Sequence, residues 1–181
     1  AAATCDGPLA AFRMGEKERY KLKIAGLLHD CGKVTTPVHV VDKATKLQTL
    51  FDRIELIDTR FELVKRDEEV RMLRQLVELR PSGDALSFEE AEAVYRTKIE
   101  QIDSDRDFVR HINKGGESMK PDAIQRVYEI AERYKWSSNG GAPVPFFSTD
   151  EIENLTIKAG TLTSAERGIV NHHIVATIKM L

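Results

Sequence analysis

With 181 residues, 41% of them apolar and 31% charged, the chain has room for one domain with a proper core and reads as a charge-rich helical protein. The net charge of −2 gives no electrostatic case for a DNA or RNA polymer as partner, and no apolar run nears the ~20 residues that cross a bilayer. Cys5 and Cys31 are too few for a disulfide framework, and without a basic-then-apolar leader the expected setting is the cytoplasm.

The first predicted element is a helix from about Glu16 to Cys31, with Tyr20, Ile24, Leu27 and Leu28 on one face. It delivers His29 and Asp30 at its end, followed by Cys31, Gly32 and Lys33. Imidazole nitrogen suits transition metals and a carboxylate can bridge two of them, so the pair is a candidate ligand set. Lys33 falls on the face of His29 if the turn continues, where a cation can hold a phosphate. Gly32 fits a left-handed cap that would aim the pair. The plain alternative makes His29 a hydrogen-bonded core residue and Asp30 a local acceptor. The burial expected for Ile24, Ala25, Leu27 and Leu28 favours a site, because a carboxylate emerging from an apolar run needs a cation or donors. Cys31 reads as a small buried thiol rather than a nucleophile.

Thr35-Thr36-Pro37 breaks the helix, and Pro37 opens a short one through Val41. Asp42–Lys46 is polar and loop-like, and His39 matches no ligand position. Leu47, Leu50, Ile54, Ile57, Phe61 and Val64 form a heptad seam that slips near Asp67 and resumes at Val70, Leu73 and Val77. After a turn at Pro81-Ser82-Gly83-Asp84, Ser87 and Glu90 cap a return helix marked by Ala91, Tyr95, Ile99, Ile102, Val109 and Ile112. Its phase is weak over Asp103–Asp107, and His111 reads as a helix-end residue. Together these predict two long antiparallel helices over 48–79 and 87–112. Gly115-Gly116 bends the chain, Pro121 starts a helix with Ile124, Val127, Ala131 and Tyr134 on one face, and 136–145 is irregular. Phe146-Phe147 anchors this stretch, Ser148 with Glu151 caps a short helix, and Thr163-Ser164-Ala165-Glu166 caps a last one running through His173 to the end. With no strand pattern of useful length, the predicted fold class is all-α.

Two blocks resemble the HD superfamily of metal-dependent phosphohydrolases, and within it the HD-GYP proteins. The first is Leu27 to Lys33 with Thr36-Pro37 and Val40 to Leu47; the second is Gly160 to His173, which opens on Leu162-Thr163 and Glu166. Counted from Leu162, the family's ligand histidine falls on His173; a one-residue shift would move it to His172. The resemblance implies an HD-type helical bundle over 1–47 and 114–181, incomplete at both ends, with 48–113 a helical hairpin insertion. The pattern Arg60-Phe61-Glu62 and Lys65-Arg66-Asp67 resembles a subgroup carrying such an excursion. The family's histidine upstream of the pair and its Gly-Tyr-Pro segment have no counterpart here, so the chain is expected to be an interior piece.

By this resemblance His29, Asp30 and His173 are metal ligands, Asp30 and Lys33 catalytic residues, and Lys33 the holder of a phosphate oxygen. Two divalent transition-metal ions, iron or manganese, are expected in the intact domain and not necessarily in this piece. The implied activity is bacterial-signalling phosphodiesterase action on cyclic di-GMP, the piece alone being inactive. A catalytically silent HD-type signalling or dimerisation module is the alternative, with a homodimer forming through the hairpin. A plain coiled-coil interaction domain is the third reading, and it leaves the four site residues unexplained.

Overall fold

The computed structural model describes residues 13–79, 88–116, 118–136 and 144–180. In chain order the elements are α1 (Glu16–Leu28), a 3₁₀ turn (Cys31–Thr35), α2 (Val38–Val41), α3 (Ile54–Leu79), α4 (Phe88–Asn113), α5 (Pro121–Arg133), β1 (Lys135–Trp136), β2 (Val144–Pro145), α6 (Thr149–Leu155), α7 (Ser164–Asn171) and α8 (His173–Met180). The fold is all-α, with a two-residue antiparallel ladder between β1 and β2 as its minor sheet. No helix among the described residues is long and apolar enough to cross a membrane. The chain divides into two compact units, Asp42–Ser164 on one side and Ala1–Val41 with Ala165–Leu181 on the other.

The Asp42–Ser164 unit is built on the α3–α4 hairpin. Its antiparallel register is written in ion pairs: Arg110 with Asp58 at 3.0 Å, Arg106 with Glu62 at 2.7 Å and Lys98 with Glu68 at 2.7 Å. Exposed pairs of this kind stabilise little, but like charges in a slipped register would repel. α3 starts at Ile54 rather than 48, because Asp52 accepts from the Ile54 N–H at 3.0 Å and holds the preceding turn against Asn113. Leu47 is buried as an anchor ahead of the helix, whereas Leu50, expected in the seam, is 87% exposed. Ile57, Phe61 and Val64 face inward as the heptads predict. Beyond them the inward side passes to Glu68, Met72 and Leu76, leaving Val70, Leu73 and Val77 exposed. The straight helix drifts past a seven-residue repeat instead of resuming it.

Ile102, Val109 and Ile112 of α4, Val127 and Ile130 of α5, and Tyr134, Phe146, Phe147 and Leu155 complete one core. Phe61, Tyr134, Phe146 and Phe147 pack with ring centroids 4.6–5.7 Å apart. The weak phase around Asp103–Asp107 has a cause: Asp105 takes the inward position and is fully buried. It accepts from Arg126, Arg133, Gln101 and the Tyr134 hydroxyl. Burial alone raises its pKa, but the hydrogen bonds of Arg126, Tyr134 and Gln101 and the charge of Arg133 win, so the carboxyl sits below the usual range. The loop Asp42–Lys46 is also less solvated than its composition implies. Lys43 and Lys46 are buried, with Lys46 Nζ donating to the carbonyls of Leu155 and Ile157. α6 carries the expected cap, Glu151 N–H donating to Ser148 Oγ at 3.2 Å and Glu151 Oε2 accepting from the Ser148 N–H at 2.8 Å.

In the other unit the 3₁₀ turn packs on α8. The final helix is two helices: at His172 the N–H is shared between the carbonyls of Gly168 and Ile169, and α8 restarts at His173. The expected burial of the α1 face does not occur. Tyr20 and Leu27 are exposed, Leu27 by 68%, and α1 contains no buried residue. No element among the described residues covers that side, and the exposed Ile174 and Ile178 of α8 extend the same apolar character. The 81–84 turn, Ser87, most of 136–145 and Cys5 lie outside the described residues.

Candidate functional site

α1 ends at Leu28, His29 caps it, and Asp30 takes φ −112° and ψ 8° before the chain tightens into the 3₁₀ turn. This abrupt change from α to 3₁₀ winding brings the side chains of His29, Asp30 and Lys33 to one side. Lys33 Nζ donates to Asp30 Oδ2 at 2.8 Å, and His29 Nε2 lies 3.0 Å from the same oxygen. From α8, His173 Nε2 lies 3.6 Å from Asp30 Oδ1. His29, Asp30, Lys33 and His173 therefore converge, with Asp30 at the centre. His172, the neighbouring alternative, is exposed and its ring has no partner among the described residues. His39 and His111 are exposed and take no part.

Both imidazoles are oriented by backbone. His29 Nδ1 lies 2.8 Å from the Gly26 carbonyl, and His173 Nδ1 bonds the Val170 carbonyl. A carbonyl can only accept, so each Nδ1 must carry the proton. A ring with no proton on Nε2 then turns that lone pair toward the Asp30 carboxylate, acceptor facing acceptor. That arrangement is favourable only with a proton or another cation between them. Lys33 supplies one such charge. Its hydrogen bond holds the Asp30 carboxyl below the usual carboxylate range; partial burial opposes this, and the charge of Lys33 adds to it, as do those of His29 and His173 whenever their rings carry a second proton.

Two features escape sequence reasoning. Gly32 is not a left-handed cap, since positive φ occurs at Gly115 and Gly160 instead. It is glycine because α8 passes over it: a Cβ there would stand 2.1 Å from the His173 carbonyl oxygen and 2.6 Å from Thr177 N. Thr177 is the second. Its Oγ1 accepts from Gly32 N–H at 2.9 Å and donates to the His29 carbonyl at 3.3 Å, clamping the turn to α8. Its position four residues after His173, on the same helical face, was the only available signal.

Donor chemistry here suits a divalent ion in kind: two Nε2 lone pairs and one carboxylate, already aimed at one another. Their present spacing does not form a site: among the described residues no group of three or more His, Cys, Asp or Glu is placed to hold a metal ion.

No curated protein and no solved structure matches the chain. The family model described as HD domain matches residues 9–104, just over half the chain, spanning the His29-Asp30 pair and Lys33 but not His173. Members of that family are generally metal-dependent phosphohydrolases that bind divalent ions. The motif at the end of α1 and the extent of this match together place the chain in the HD domain family.

Proposed function

We propose that this chain carries part of the catalytic centre of an HD-GYP-type phosphodiesterase that hydrolyses cyclic di-GMP in bacterial signalling. The observation carrying the phosphohydrolase reading is the Asp30 carboxylate faced by two backbone-oriented imidazoles, with Lys33 alongside. The dinucleotide substrate rests on the resemblance of 27–47 and 160–173 to HD-GYP proteins. His29, Asp30 and His173 would hold metal. Bound divalent ions would supply Lewis acidity, neutralising the charge that builds on the phosphoryl group. Lys33 would exchange its Asp30 hydrogen bond for a non-bridging phosphate oxygen, orienting the diester. The Gly26 and Val170 carbonyls hold a proton on each Nδ1 and leave each Nε2 aimed at Asp30. In this reading 48–113 is a hairpin inserted into the HD core.

Three donors are few for two ions, so the 181 residues alone should turn over cyclic di-GMP slowly or not at all. The test measures metal content and formation of linear dinucleotide or GMP by this chain and by the full-length gene product. Activity of the longer protein that is lost in Asp30→Asn supports the reading. A metal-loaded, folded, inactive longer protein points to the second reading, a silent signalling module. That second reading is favoured by the exposed stripe Leu63, Val70, Leu73 and Val77 along α3, suited to a second hairpin.

A further inference from the structure

The Asp42–Ser164 unit contains a cleft that the phosphohydrolase chemistry does not use. It lies between the C-terminal end of α4, the Gly115-Gly116 bend and the start of α5, and holds about 280 Å³. Every titratable residue among its described lining is basic: Lys46, His111, Lys120 and Lys158. The side chains of His111, Lys120 and Lys158 have no hydrogen bond or ion pair among the described residues. Lys46 is only 2% exposed, and its three acceptors are the carbonyls of Leu155 and Ile157 and the Met119 thioether, none of them a carboxylate. A buried ammonium without a counter-charge is costly, and burial pulls its pKa down. Cations gathered around one concavity repel each other until an anion enters. Phe108 and Met119 add apolar surface to the same cleft, the Met119 thioether lying 3.3 Å from Lys46 Nζ. Arg126, paired with Asp105, lies 4.4 Å from the centre of the Phe108 ring and holds it in place. The first turn of α5 adds the positive end of a 13-residue helix, with Asp122 outside the cleft lining.

Cationic and apolar surface side by side in one cleft suit a ligand that carries both a phosphate and a ring. Small-molecule sites hold about 300–1,000 Å³, so a cleft of about 280 Å³ suits a mononucleotide and is too small for a dinucleotide. We infer that this cleft binds a phosphate-bearing ring compound of mononucleotide size. Lys120 and Lys158 hold the phosphate, Lys46 contributes its charge from below, and the ring rests on Phe108 and Met119. No residue of the Asp30 site lines the cleft, and its occupant would be a second small molecule rather than the diester.

The test titrates the 181-residue chain with AMP by calorimetry, using inorganic phosphate and adenosine as half-ligands. AMP should bind about tenfold more tightly than either half, since both surfaces contribute. Lys120→Glu and Lys158→Glu should each weaken AMP by about tenfold, and Lys120→Arg by less than about threefold. Lys33→Ala should leave the AMP-induced shifts of the Gly115 and Gly116 amides in place. Thermal melts verify folding, and shifts of the Gly115 and Gly116 amides in the unmodified chain give a reading independent of any variant. Binding abolished by Lys33→Ala but untouched at Lys120 and Lys158 would overturn the inference, as would phosphate binding as tightly as AMP. Absence of AMP binding to the folded chain at millimolar concentration overturns it outright.

Discussion

Replacing Gly32 by alanine tests whether the seating of α8 on the 3₁₀ turn builds the site. The added Cβ would lie 2.1 Å from the His173 carbonyl oxygen and 2.6 Å from Thr177 N and Oγ1. Carbon–oxygen contacts normally begin near 3.3 Å, so about 1.2 Å must be found. The obstructing atoms are mostly backbone, so no side chain can swing aside, and either α8 or the turn has to move. Overpacking of this kind costs about 1–3 kcal/mol. Stretching the 2.9 Å bond from Gly32 to Thr177 forfeits a further 0.5–1.5 kcal/mol or so. Alanine returns about 0.4–1 kcal/mol by restricting the unfolded chain, leaving a net loss of about 0.5–4 kcal/mol. The same movement draws His173 away from Asp30, where it now stands at 3.6 Å. Urea unfolding gives the stability, and the His173 ring resonances report its surroundings. Gly26→Ala is the control: its Cβ would meet nothing within 4 Å, and a helix-interior position should gain about 0.5–1 kcal/mol. If Gly32→Ala is as stable as the parent and leaves the His173 resonances in place, α8 is not seated as described and the argument fails.

Thr177→Val keeps the shape but removes both clamp bonds, and should cost about 1–3 kcal/mol; a loss under a few tenths, measured by denaturant midpoint, would show the clamp to be incidental. Asp105→Ala strands Arg126 and Arg133 beside a buried gap and should cost about 3–5 kcal/mol, read from the same titration. Folding lowers the Asp105 pKa, so its contribution is complete above the unfolded value of about 3.9 and is lost as pH falls through the lower folded value. The parent's midpoint should accordingly drop with acid more steeply than that of Asp105→Asn; parallel curves would refute the linkage. Lys33→Ala removes the main cause of the depressed Asp30 pKa, so carboxyl titration followed by NMR should move up toward the ordinary value.

Local chemistry in the sequence was enough to place most helices. Pro121, the Ser148/Glu151 pair and the Thr163–Glu166 pair act within a turn of the helix they start, so their effect needs no distant partner. The α3–α4 hairpin was legible because apolar residues recur at helical spacing for two dozen residues on each arm. The same holds for His29, Asp30 and Lys33, which share one turn of chain.

Tertiary structure decided what depends on a neighbour distant in the chain. Which side of α3 faces inward beyond Val64 was set by helix drift against α4, and periodicity alone placed Val70, Leu73 and Val77 on the wrong side. Asp105 could only become a core residue because Arg126, Arg133 and Tyr134 arrive from α5 and its end to neutralise it. Lys46 is buried by carbonyls more than a hundred residues later in the chain. At the site itself, the choice of His173 over His172 and the need for glycine at Gly32 both come from α8 crossing the 3₁₀ turn. A sequence records which groups a residue carries; the distance to a backbone oxygen 141 positions away exists only once the chain has folded.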